Sequence, residues 1–172
     1  MSPTERCSSC AWTLAAALAA SASLPGCSIV DALLPDARTP TTRAQEVVAW
    51  CAEFPEDSVA RRSLVETVEP AYSYVHAAML REPRLRGARL RLRPAPGLSR
   101  EALERGLQCH QARVLLGMAA ARDEDPYFLP GVWLDIEADS EGAAFEVAVR
   151  ATAYADAQEV LQRARRFVAR VQ

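Results

Sequence analysis

The chain of 172 residues is 50% hydrophobic and 24% charged, which leaves room for one hydrophobic core and needs no second globular domain. Its formal charge of -2 lacks the basic excess that nucleic-acid binding calls for, so no nucleic-acid partner is expected. Lysine and asparagine are absent and arginine supplies every strongly basic side chain, a bias that a GC-rich genome accounts for without a ligand.

In chain order, Ala11 to Leu24 holds only Ala, Leu, Ser, Thr and Trp. An apolar run of about fourteen residues fits the h-region of a signal peptide and is too short to span a bilayer. It is preceded by one basic residue, Arg6, beside Glu5, and it closes on Leu24-Pro25-Gly26-Cys27. Leu24, Gly26 and Cys27 resemble the lipobox of a bacterial lipoprotein precursor; Pro25 stands where a small or β-branched residue is usual. The resemblance implies cleavage before Cys27, diacylglycerylation of its thiol with palmitate-type chains, and a cell-envelope protein lipid-anchored to a membrane. On this reading residues 1–26 are signal peptide, 27–41 a lipidated tether and 42–172 one envelope domain. A competing cleavage signal, Ala20-Ser21-Ala22, would instead release a soluble secreted protein. Cys7 and Cys10 fall in the segment that either cut discards.

The segment from Ser28 to Thr41, with Pro35 and Pro40, shows no sustained period and reads as a tether. Thr42 and Gln45 have capping-box spacing, and Ala44, Val47, Val48 and Cys51 then share a helical face up to Pro55. Leu64 to Glu69 is expected as a strand ended by Pro70. From Leu85, the residues Ala88, Leu90 and Leu92 alternate with Arg89, Arg91 and Arg93, the pattern of a strand with one dry face, and Gly87 marks its start or a bulge. Ser99 caps the next helix, stapled by Leu98 and Leu103, with Leu103, Leu107, His110 and Val114 as its stripe and Gly117 as its stop. Val132, Leu134 and Ile136, a turn at Asp139 to Gly142, and Phe145, Val147 and Val149 predict a hairpin. A last helix is expected to start at a capping Asp156 and to turn Ala157, Val160, Leu161, Ala164, Phe167 and Val168 inward.

The succession predicts an α+β fold, a small two-layer sandwich built as a split β-α-β-β-α core with an N-terminal helix. The last strand should insert between the other two, with both helices on one face. The arginines of the outer face should then meet Glu146, with Asp135 and Glu137 nearby. Beyond the lipobox, the words Leu-Arg-Gly-Ala-Arg-Leu at 85–90, Cys109-His110-Gln111-Ala112, Asp125-Pro126-Tyr127 and Arg163-Ala164-Arg165 resemble uncharacterised lipoproteins of GC-rich bacteria, a similarity that carries no activity with it.

Four groups of residues invite chemistry. Beside the lipidation residue Cys27, Cys51 and Cys109 are the even pair left in the mature part and read as one disulfide, with free buried thiols or a metal site as alternatives. His76, Cys109 and His110 are the candidate metal or thiol-enzyme set, although their spacing fits no metal motif and neighbours on a helix point about 100° apart. His110 on an apolar stripe is expected as a hydrogen-bonded core histidine. Arg89, Arg91 and Arg93, with Arg81, Arg84 and Arg86 before them, are expected as a solvated face partly neutralised by acidic strands, with an anionic-ligand ridge as the alternative. Asp123 to Asp125 lacks the ligands of a calcium loop and is expected as a solvated loop. No cofactor is implied. The function expected is lipid-anchored binding or scaffolding, with an envelope protein or glycan partner, rather than catalysis; the alternative is a periplasmic metal-binding or thiol-dependent enzyme.

Overall fold

The computed structural model describes residues 38–53, 64–77, 80–93, 96–120 and 122–171, and the fold they make belongs to the compact unit Thr39–Gln172. Cys27, the expected signal segment and most of the tether lie outside the described residues. In chain order the elements are α1 (Pro40–Val48), a 3-10 turn (Cys51–Glu53), β1 (Leu64–Ala77), β2 (Leu80–Arg93), α2 (Arg100–Leu115), β3 (Asp135–Glu141), β4 (Ala144–Arg150) and α3 (Tyr154–Val171). The strands form one antiparallel sheet in the order β1-β2-β4-β3. This is the α+β sandwich expected from the sequence, with β4 inserted between β2 and β3.

Alternation along the strands sets the two faces. Ala88, Leu90 and Leu92 of β2, Ile136 and Ala138 of β3 and Phe145, Val147 and Val149 of β4 are buried on one side. Against them pack Leu103 and Leu107 of α2 and Ala157, Val160, Leu161 and Ala164 of α3 in a single cluster. The outer arginines of β2 fall on the opposite face.

The N-terminal caps differ from expectation at two helices. At α1 the cap is Thr39, whose Oγ1 accepts from Thr42 N at 3.2 Å. Pro40 therefore occupies the first helical turn, where its missing N–H is no loss, and the tether ends earlier than 41. The helix also ends at Val48 rather than continuing to Pro55. At α3 the helix begins at Tyr154 and Asp156 lies in its first turn, favourable to the dipole but not the cap. At α2 the expected ends hold. Ser99 Oγ accepts from Ala102 N at 3.2 Å. Beyond the C-terminus Gly117 takes φ 70°, while Gly117 N donates to Val114 O and Met118 N to Arg113 O, a Schellman closure.

Pro70 does not end β1, which continues to Ala77 and pairs with β2 from Leu64↔Arg93 to Ala77↔Leu80. The reason is position: β1 is an edge strand, and a proline is tolerated there because no further strand asks for its N–H. The register slips between Ala71 and Tyr72, opposite Gly87 and Leu85, so Gly87 marks a bulge within a strand that starts at Leu80, not at Leu85. Its φ is 149°, and a Cβ there would stand 2.0 Å from Val149 O, so only glycine lets β4 approach.

The other edge is closed by side chains. The outward backbone groups of three alternate residues, Leu134, Ile136 and Ala138, meet four side chains of α2. Arg100 Nη1 donates to Ala138 O, Glu104 Oε2 accepts from Ala138 N, Gln108 Nε2 donates to Ile136 O, and Gln111 bonds both Leu134 O and Leu134 N. Residues 100, 104, 108 and 111 recur at helical spacing, so one face of α2 stands in for a fifth strand.

Candidate functional site

The expected pair Cys51 and Cys109 is bonded, with a Cα–Cα distance of 5.7 Å. Both residues are buried. The bond ties the 3-10 turn after α1 to the middle of α2, and Arg113 Nη2 reinforces the seam by donating to Cys51 O at 2.8 Å. A thiolate at Cys109 is not available while the bond stands, which removes the nucleophile and the sulfur ligand from the metal or thiol-enzyme set.

His110, one residue on, points elsewhere. Its Nε2 lies 2.5 Å from Asp125 Oδ2, and both side chains are nearly buried. Asp125 Oδ1 accepts from Tyr127 N at 2.9 Å. The acidic stretch 123–125 is thus not wholly solvated as expected: Asp123 is exposed, whereas Asp125 is drawn inward to a histidine that the sequence separates from it by fifteen positions. A buried carboxylate needs such partners, since desolvating it alone is unfavourable by several kcal/mol, of order 2–7 for a polar group without a bond. The pair anchors the segment whose Pro126, Tyr127, Phe128 and Leu129 close one end of the core. Tyr127 meets Phe167 of α3 edge-on at 6.5 Å. Burial, with the Asp125 carboxylate adding to it, pushes the Tyr127 hydroxyl well above the usual tyrosine range. A histidine oriented by a carboxylate is also half of a general-base arrangement, but its sequence neighbour Cys109 is in the disulfide, and the geometry serves to fasten a loop.

His76 is placed at backbone level only, opposite Arg81 in the β1–β2 pairing. Among the described residues no three His, Cys, Asp or Glu side chains converge as a metal site.

The six arginines of β2 separate into two groups. On the sheet's outer face Arg89 Nε lies 3.0 Å from Glu146 Oε1, a charge contact without an aligned hydrogen bond. Arg91 meets Glu141 at 2.6 Å and Glu66 at 3.7 Å, and Arg93 meets Glu66 at 2.5 Å. Asp135 and Glu137, expected near these arginines, instead pair with Arg150 of β4. The face is therefore a lattice of opposite charges rather than a cationic ridge. Arg81, Arg84 and Arg86 lie outside that lattice: no described carboxylate pairs with them. Arg81 is stacked on the Tyr74 ring, its guanidinium carbon 3.9 Å from the centroid. The sequence showed six arginines in one run; only the carboxylates brought up by β1, β3 and β4 distinguish them.

The chain matches no protein-family model, no curated protein and no solved structure.

Proposed function

We propose that the chain is a lipid-anchored cell-envelope protein that acts by binding or scaffolding rather than by catalysis. The observation that carries this reading is the apolar run Ala11 to Leu24 closing on Leu24-Pro25-Gly26-Cys27. Two features of the domain support it. A buried disulfide belongs to proteins that mature in an oxidising compartment, which the periplasm and the cell exterior are. The helical fold starts at a cap on Thr39, which leaves only Cys27 and residues 28–38 between the proposed acyl chains and the domain. No described helix is long and apolar enough to cross a membrane, so attachment in this reading rests on the lipid. More than one acyl chain on the processed N-terminus is sufficient for stable anchoring.

The test is metabolic labelling with palmitate together with membrane fractionation. The expected result is that wild type incorporates label and sediments with membranes, and that Cys27→Ser loses both properties. Unlabelled, soluble protein in both strains would replace the anchor by secretion after Ala22.

A further inference from the structure

β4 pairs with β2 only from Gly87 to Leu92, whereas β1 and β2 continue to pair on the other side of the bulge. Tyr72–Ala77 and Leu80–Arg86 consequently form a two-stranded arm that pairs with no third strand among the described residues. A free ribbon of this kind is usually blunted by charge and proline, and Pro83 and Glu82 serve that end here. The arm also carries side chains that do nothing to discourage edge-to-edge pairing. Tyr72 and Tyr74, two residues apart on one face, are 50% and 52% exposed. Arg81 lies over Tyr74, and Arg84 is exposed.

Every arginine of β2 on the sheet face has a carboxylate beside it, yet Arg81, Arg84 and Arg86 have none among the described residues. The one acid between them, Glu82, leaves the arm with an uncompensated positive charge. Half-exposed tyrosines beside arginines that no described carboxylate pairs resemble protein segments that sit at a membrane–water interface, where the rings take the headgroup level and the guanidinium groups meet phosphate.

From these placements we infer that the β1–β2 arm is a second, reversible membrane contact, in which Tyr72, Tyr74 and Arg81, which the register puts on one face of the ribbon, bind the headgroups of anionic phospholipids, while Arg84, opposite Ser73 on the other face, adds longer-range attraction to the charged surface. The inference rests on the lipid-anchor reading of Cys27 for its geometry. From Cys27 to Arg38 the chain reaches at most about 40 Å when extended, on the order of the width of a domain this size. A domain so tethered stays in the neighbourhood of the bilayer, and a contact that the unanchored protein makes only with abundant lipid is then well populated through effective concentration. Its consequence is orientation: the arm would fix which side of the domain faces away from the lipid, and the neutral lattice of the sheet face would not compete for the surface.

The test uses the full chain with Cys27→Ser, which removes the acyl anchor, and flotation with vesicles of phosphatidylcholine alone or mixed with phosphatidylglycerol. Any partition of the apolar N-terminal run is common to both vesicle types and to all variants, so the arm is read from the difference. The expected result is preferential, salt-sensitive flotation with the anionic vesicles, weakened about 25-fold by Arg81→Gln with Arg84→Gln, roughly fivefold per arginine at low salt. Arg89→Gln with Arg93→Gln should leave it unchanged, and Tyr72→Ser with Tyr74→Ser should weaken it with little change in salt dependence. Circular dichroism shows that each variant keeps the parent fold. Equal flotation of parent and the Arg81/Arg84 variant, or of the parent with both vesicle types, overturns the inference whatever the palmitate labelling shows. Failure of labelling with anionic flotation intact would instead remove the anchor and keep the arm as a lipid-binding element.

Discussion

His110, Asp125 and Tyr127 show how one polar contact decides the fate of a loop. Asp125 Oδ2 lies 2.5 Å from His110 Nε2 and its Oδ1 accepts from Tyr127 N, so removing the carboxylate strips both groups of this contact in a nearly buried place. Asp125→Ala is expected to lower unfolding free energy by roughly 3 kcal/mol, while Asp123→Ala, at an exposed position, should change it by less than about 0.5 kcal/mol. Urea titration of the two variants checks the contrast. Tyr127 supplies a pH signature. Its pKa is raised in the fold by burial, so the neutral hydroxyl is favoured there, and the stability it contributes is intact below the ordinary tyrosine value and is lost as pH rises beyond it. Melting temperature should therefore fall above pH ~10, and Tyr127→Phe, which keeps the ring against Phe167, should flatten that alkaline decline.

At the scale of elements, the side-chain closure of the β3 edge and the bulge at Gly87 are the features on which strand order depends. Gln111 satisfies both backbone groups of Leu134 from a fully buried position. Gln111→Leu matches it in size but leaves a buried N–H and a buried C=O open, and a loss of about 2–4 kcal/mol is expected, against a much smaller one for Gln108→Ala at a half-buried site. Thermal melts of the two variants decide this. Gly87→Ala places a methyl group 2.0 Å from Val149 O, inside any permissible contact, so β2 and β4 have to separate locally. The α3 helix carries its own fastening: Arg163 bonds Glu159 at 2.8 Å and Phe128 O at 3.1 Å, linking the helix to the loop that Asp125 anchors. The Arg163 hydrogen bond, with Arg166 beside it, holds the Glu159 carboxyl below the usual range. That contribution is present above the ordinary glutamate value and fades as pH falls through the depressed one, and Arg163→Ala should remove it together with the tie to Phe128.

For the molecule as a whole the disulfide is the largest single constraint. It closes a loop across 58 positions, for which the chain-entropy model gives roughly 4 kcal/mol, comparable to the entire margin of a small domain. Alkylation of unreduced protein followed by intact-mass measurement should find neither Cys51 nor Cys109 modified. Reduction, or Cys51→Ser with Cys109→Ser, should lower the melting temperature by several degrees and loosen α1 first, because α1 is held through the seam with α2 rather than by the sheet. The four-stranded core has its own cluster and should survive.

The sequence by itself determined the periodic parts of this protein. Alternation at Ala88 to Arg93 and Phe145 to Val149 set two strands and their dry face, Ser99 and Gly117 bounded α2, and the order of elements was enough to put β4 between β2 and β3. Those signals are local, since a side chain's direction follows from backbone period alone. Even the disulfide was legible, because Cys51 and Cys109 are the one even pair left once the signal segment and Cys27 are set aside. What only the tertiary structure decided depends on neighbours. Pro70 reads as a strand end until β1 is seen to be an edge, and Asp125 reads as solvated until His110 arrives beside it. In the same way six arginines spread over residues 81–93 read as one run until β1, β3 and β4 bring carboxylates to three of them and leave Arg81, Arg84 and Arg86 to the arm. Charge compensation is a pairwise property across strands distant in sequence, and no local pattern encodes it.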